Sequence, residues 1–301
     1  MKRTVGIGTV MCLMITVLMA TRAGAADSSP NETAQELATA AKRDHPWSAT
    51  LDQGWLPAST IHGANGAVSL YETGVKIARQ HRLLPRLTIS THLAYSLRAI
   101  DAPTAARLPD SLHILSVGLA GDYRLTDDLA LDFLVSPSLN SDFKRIGTDD
   151  VRTQVGLMGR YNATKRLTLI AGMIYLQGFR SIPVFPIIGA VYRPDEQWTI
   201  RLAAPRPGVT YSPDKRSSYF VGAEFTGSEY QVHDATVNAR IVNYRDFRAM
   251  AGMERLLFST IRVSITGGYA FDRRFVFYDS TRNDLTVDNG AYVKLGVSTG
   301  W

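Results

Sequence analysis

The 301-residue chain has a single cysteine, Cys12, within its first twenty residues. A leader ending before Ala26 would remove it. Disulfides, zinc-thiolate sites and a cysteine nucleophile are thereby excluded from the mature protein. The leader has a basic start at Met1-Lys2-Arg3, an apolar stretch from Val5 to Ala20 and a small-residue cleavage site at Ala23-Gly24-Ala25. Met11 stands before Cys12 where a lipoprotein signal needs a small residue. Beyond the leader no apolar run reaches the roughly twenty residues of a membrane-spanning helix. Each is broken within about ten residues by Arg, Asp, Gly or Pro.

A concentrated basic face is also lacking. The formal charge is +6, and Lys2, Arg3 and Arg22 leave with the leader, so the mature chain carries +6 − 3 = +3. Nucleic acid is therefore not an expected partner. Phosphate loops and nucleotide fingerprints are absent, and His45, His62 and His81 lack metal-ligand spacing. No metal or cofactor is expected.

What is present is alternation. In Arg86 to Arg98 the apolar Leu87, Ile89, Leu93, Tyr95 and Leu97 interleave with Thr88, Ser90, His92, Ser96 and Arg98. The same pattern runs through Leu129 to Leu139 and Ile261 to Asp272. Other candidate strands are Ser111 to Arg124, Val151 to Asn162, Arg166 to Leu176, Val184 to Tyr192, Trp198 to Ala204, Gly208 to Ser212, Ser218 to Glu229, Tyr244 to Arg255 and Gly290 to Trp301, with Ala67 to Ile77 as one more. An antiparallel transmembrane β-barrel of about 12 strands, range 10–14, is the fold class predicted. The domains read as a signal peptide at 1–25, an N-terminal periplasmic arm at 26–65, partly helical or disordered, and the barrel at 66–301.

The connections alternate between short and long. Tyr123, Tyr161, Tyr192 and Tyr211 each end a strand before a tight polar turn, which predicts an aromatic girdle at the short-turn end, joined there by Trp301. Mid-strand charges, Arg98, Asp132, Arg160, Arg201, Glu224, Arg248, Glu254 and Arg262, fall on the polar face and are predicted to line the lumen. Pro183, Pro186, Pro205 and Pro207 cluster in the shortest strands, either at open edges and kinks or at loop boundaries.

The last strand resembles the terminal recognition signal of outer-membrane proteins through Lys294, Gly296 and Trp301, with Thr299 departing from it. About 190 residues also resemble a bacterial outer-membrane β-barrel family catalogued as a domain of unknown function. The resemblance is carried by Leu108-Pro-Asp-Ser-Leu-His113, Ser141-Asp142-Phe143, Pro183-Val-Phe-Pro-Ile-Ile-Gly189, Trp198 with Leu202, Pro205-Arg-Pro207, Tyr211 and Tyr269-Ala-Phe-Asp-Arg-Arg-Phe275. It implies a barrel in the outer membrane and names no substrate.

Expected partners are outer-membrane lipids and lipopolysaccharide, the barrel-assembly machinery and small solutes. The leading reading is a non-enzymatic narrow pore; the alternative is a sealed structural or surface-interaction barrel. An outer-membrane hydrolase or protease ranks third. Its candidates are Asp149-Asp150 with His233-Asp234 on two long loops, or His92 and His113 with Ser90 or Ser116. Arg273-Arg274 with Phe275 and Phe277 is a candidate rim site for lipopolysaccharide phosphates.

Overall fold

The computed structural model describes residues 46–180, 183–203 and 206–301. The leader, its cleavage site and residues 26–45 of the predicted arm, His45 among them, lie outside the described residues. The barrel is built from β1 (Trp47–His62), β2 (Ala67–Leu84), β3 (Leu87–Asp101), β4 (Ser111–Arg124), β5 (Leu129–Ser141), β6 (Val151–Asn162) and β7 (Leu167–Gln177). It continues through β8 (Val184–Tyr192), β9 (Trp198–Arg201), β10 (Gly208–Tyr211), β11 (Ser217–Gln231), β12 (Ile241–Leu257) and β13 (Ile261–Tyr278). The final strand, β14, is interrupted and consists of Leu285–Val287 and Gly290–Gly300.

Each strand pairs antiparallel with its neighbours in sequence, and β14 pairs with both β13 and β1, so the sheet closes. The count is therefore fourteen, correcting the preference for twelve. The two strands left out are β1 and β2. Ala67 to Ile77 does begin a full strand, and the predicted arm at 26–65 contains β1. Its pattern is hard to read because outward-facing positions include Ala49 and Gln53, and a bulge at Leu56/Ser59 reverses the phase. Gln53 is accommodated by its cross-strand neighbour, donating from Nε2 to Thr73 Oγ1 at 2.9 Å.

Four short turns share one device. Thr126, Thr164, Asp195 and Asp214 each stand three residues after the strand-ending tyrosine. Their side-chain oxygens accept from the backbone N–H groups two and three residues ahead: Asp128 and Leu129, Arg166 and Leu167, Gln197 and Trp198, Arg216 and Ser217. The tight turn then places Tyr123, Tyr161, Tyr192 and Tyr211 outward at one end of the barrel.

The outer face is apolar. Leu93, Val117, Leu157, Met173, Val221 and Ile265 are all exposed there. A second set of outward aromatic rings, Trp55, Tyr71, Tyr175 and Tyr269, lies toward the long-loop end. Tyr269 pairs with Ala291, ten residues before Trp301. At about 3.3 Å per residue and a tilt of about 40°, ten residues separate the two aromatic levels by about 25 Å, the height of a bilayer-facing band.

The circumference is not constant along the axis. At the long-loop end β5 meets β11 in a parallel bridge, Ser141 to Gln231, although five strands lie between them in the sheet. The Asp142 N–H donates to Gln231 O at 3.2 Å, and Asn140 Nδ2 donates to Ser228 Oγ and Glu229 O. The strands from β6 to β10 are short and form a side lobe that ends below this contact. Above it the rim is closed by nine strands, β11 to β14 and β1 to β5.

Two apolar clusters fill parts of the interior. One occupies the nine-stranded rim and includes Leu70, Leu112, Val237, Val242, Tyr244, Phe275 and Leu285. The other lies in the side lobe and includes Leu134, Met158, Ile170, Ile174, Ile187 and Val191. Pro186 lies on β8, which among the described residues is paired along 184–189 with β7 alone. A residue without an N–H suits such an open edge.

Candidate lumen and its charge layer

Beneath the rim cluster a layer of charge crosses the lumen. Glu72 on β2 receives Arg98 of β3 through Nε at 3.0 Å and Nη2 at 2.8 Å. It receives Arg248 of β12 from the opposite wall through Nη1 at 2.8 Å and Nη2 at 2.9 Å. Arg248 also donates to Asp246, which accepts further from the Thr226 and Tyr244 hydroxyls at 2.6 and 2.7 Å. The Arg98 guanidinium lies 4.6 Å from the Tyr244 ring centroid and that of Arg248 lies 5.0 Å from the Tyr292 ring centroid. Two cations held by two carboxylates and two ring faces make a compensated buried network.

Below the layer is a cavity of about 510 Å³, lined by Arg98, Arg201, Glu224, Arg248, Glu254 and Arg262 together with Asp52, Glu72, Arg206 and Lys294. Arg206 pairs with Glu224, Arg262 lies 3.6 Å from Glu254, and Lys294 lies 3.7 Å from Asp52. A second cavity, of about 490 Å³, lies at the short-turn end. Arg160 lines it and bonds to both Asp122 and Asp132, the latter almost fully buried. All eight charges expected on the lumen side are thus located on inward-facing positions. Sequence reasoning missed Glu72, because β2 was not counted firmly. It also missed Asp246, although Tyr244, Asp246 and Arg248 are spaced by two and therefore share a face.

Trp301 closes the barrel against the start of β1. Its ring stacks on Trp47 with centroids 6.3 Å apart, and the two backbones exchange N–H···O bonds of 3.0 and 3.1 Å. Tyr211 packs on Trp198 at 4.7 Å in the same belt. Lys294 and Gly296 face the lumen, where a Cβ on Gly296 would meet Asp52 Oδ1 at 2.6 Å.

The alternative sites take other roles. His233 Nε2 lies 2.8 Å from Asp150 Oδ1 with both side chains buried, and Nδ1 faces Arg145. Asp234 is paired with Lys144 and Asp149 with Arg240. Each of the four is thus tied between the two loops. His113 bonds to Ser111 at 2.9 Å and to Tyr95 at 2.8 Å, on the outward face and not to Ser116. His92 folds over Gly118. The rim-site expectation is corrected for Arg273, which is 1% exposed and bonds to Ser59 and Asp288 O; Phe275 is likewise buried. These side chains point inward because a bulge reverses the alternation: Tyr269 and Phe271 are exposed, Asp272 has a φ of 51°, and the pairing with β12 slips between Phe247/Phe271 and Arg245/Arg274. No metal-binding group of His, Cys, Asp and Glu occurs among the described residues.

A closed antiparallel barrel with an apolar outer band and a charge-laced interior defines the class as a transmembrane-type β-barrel. Residues 64–298 match the family described as Domain of unknown function (DUF6268), and the chain belongs to that family. No curated protein matches it. Among solved structures it is similar to the TodX deltaS2S3 mutant monoaromatic hydrocarbon channel, at 11% identity and a TM-score of 0.48, covering 88% of this chain and 94% of that one. It is also similar to an outer membrane channel from Pseudomonas putida F1, at 13% identity and a TM-score of 0.47, covering 86% and 97%. The KdgM porin in complex with disordered oligogalacturonate matches at 9% identity and a TM-score of 0.38, covering 84% and 99%.

Proposed function

We propose that this chain is an outer-membrane barrel that passes small solutes through a narrow, charge-lined lumen, with its short turns in the periplasm. The observation that carries the reading is the 510 Å³ cavity, lined by six cationic and four anionic side chains. A charged cavity within the apolar band suits a water-filled path, since charges facing lipid there would each cost about 2–4 kcal/mol. The outward belts suit lipid and lipopolysaccharide as surroundings, and Lys294, Gly296 and Trp301 suit recognition by the assembly machinery. We assign it no catalytic residue.

A second reading, a sealed barrel serving as a structural or surface element, is favoured by the apolar cluster that fills the nine-stranded rim. Planar-bilayer recording on folded protein, checked by its altered gel mobility before boiling, separates the two. Stepwise ion conductance supports the channel; a folded but silent protein supports the sealed barrel. Recovery in a soluble periplasmic fraction would refute both.

A further inference from the structure

In the central cavity each carboxylate is matched to a cation: Glu72 to Arg98 and Arg248, Glu224 to Arg206, Glu254 to Arg262 and Asp52 to Lys294. Arg201 is the cation left over. It has no ion pair or side-chain hydrogen bond among the described residues. It also lines the second cavity, so it stands where the two spaces adjoin. The charged neighbour it senses is Arg193, of the same sign, which lines that second cavity.

The placement follows from the β8 to β9 hairpin. Arg201 pairs with Val191 at the upper end of β9, and Arg193 follows β8 at the turn. The N–H of Arg193 is fixed to Arg166 O at 2.7 Å. Val191 and Ile170 line the same space beside Asp122, Asp127, Asp128 and Lys165, so the two guanidiniums share a cavity of mixed apolar and charged walls. A guanidinium presents five donors in a planar fork suited to two oxygens at once.

We propose that Arg201, with Arg193, forms a binding site for a small oxyanion, a carboxylate or a phosphate, at the junction of the lumen and the short-turn vestibule. The site rests on the channel reading only for its consequence in transport: a solute crossing the barrel would pass this pair, which would select anions. Repulsion between two unmatched cations is relieved when an oxyanion bridges them, and paired lumen charges offer no comparable site.

Two readouts separate the proposals. Calorimetric titration of the folded, detergent-solubilised protein with inorganic phosphate should show binding that Arg201→Gln abolishes, Arg193→Gln weakens at least several-fold and Arg240→Gln, on an exposed outer loop, leaves intact. In bilayers under a KCl gradient, Arg201→Gln should lower the chloride-to-potassium permeability ratio several-fold. Equal phosphate binding by wild type and Arg201→Gln, both folded by gel mobility, overturns the site, as does wild-type protein that binds no phosphate. An absence of current with phosphate binding retained overturns the channel reading and leaves the site standing.

Discussion

Replacing Glu72 by Gln keeps the shape of the side chain and removes one charge from the layer that crosses the lumen. Glu72 accepts four hydrogen bonds from two arginines, and its side chain is 9% exposed. Removing one partner of a buried ion pair typically costs about 3–5 kcal/mol, because the other charge is stranded. Here Arg248 keeps Asp246, and Arg98 keeps the Tyr230 hydroxyl at 3.1 Å and the Tyr244 ring, so the lower figure of about 3 kcal/mol is expected. Urea titration of the barrel in micelles, followed by tryptophan fluorescence, would register this as a fall in unfolding free energy. The double variant Glu72→Leu with Arg98→Met removes the stranded charge along with its partner and should return within about 1 kcal/mol of wild type. A loss below about 1 kcal/mol in Glu72→Gln, or no recovery in the double variant, would refute the view that compensated charge holds this layer.

Deleting Trp301 removes both the ring stack and the backbone exchange with Trp47, whereas Trp301→Ala removes the ring alone. The yield of folded barrel, measured by gel mobility after insertion into lipid vesicles, should fall in both and further in the deletion; equal yields would count against closure at this contact. Gly296→Val places a Cβ 2.4 Å from Ser264 Oγ and 2.6 Å from Asp52 Oδ1, displacing Asp52 from Lys294. Overpacking of this kind costs about 1–3 kcal/mol in a urea titration, and an unchanged midpoint would contradict the placement. In the outer loops, hydrogen bonds from Lys144 and Thr236 lower the Asp234 carboxyl to about 2. Its folded value lies below the usual 3.9, so its contribution is complete above about pH 4 and is lost as pH falls through about 2. Pepsin cleavage within 232–240 should accelerate across that window in wild type more than in Asp234→Asn; parallel rates would disprove the tie.

Much of the wall was legible because a half-buried strand writes its geometry as a period of two. β4, β6 and β8 begin and end at the residues where alternation and turn chemistry place them. β1 was not, since its outward face carries Gln53 and Ala49 and its phase breaks at the bulge. The lumen charges were visible for the same reason as the strands, being polar residues on the face opposite Leu and Val. Their partners were less so. Glu72 meets Arg248 across 176 positions of sequence, and alternation assigns a residue to a face without saying which far strand it will meet. The inward Ile170, Ile174 and Ile187 also break the polar-in expectation, because the side lobe packs them against one another.

The contact between β5 and β11 links these observations. A wall of fourteen strands encloses more space than side chains readily fill, and below the charge layer the interior indeed contains the two cavities. Where β5 touches β11 the wall is reduced to nine strands, a circumference close to that of small barrels packed with side chains, and there the interior is the apolar cluster. Asp142 holds the contact: its Oδ2 accepts from the N–H groups of His233 and Asp234, both at 2.9 Å, and its Oδ1 from that of Lys144 at 3.3 Å. Asp142→Ala should therefore loosen the rim rather than unfold the barrel. Loss of two hydrogen bonds to a carboxylate amounts to about 3 kcal/mol of local stability, or roughly a hundred-fold faster hydrogen exchange at these amides. If the narrowing at β5 and β11 seals the lumen, this variant conducts more than wild type in bilayers. Faster exchange without added conductance would show that the apolar cluster seals the rim by itself.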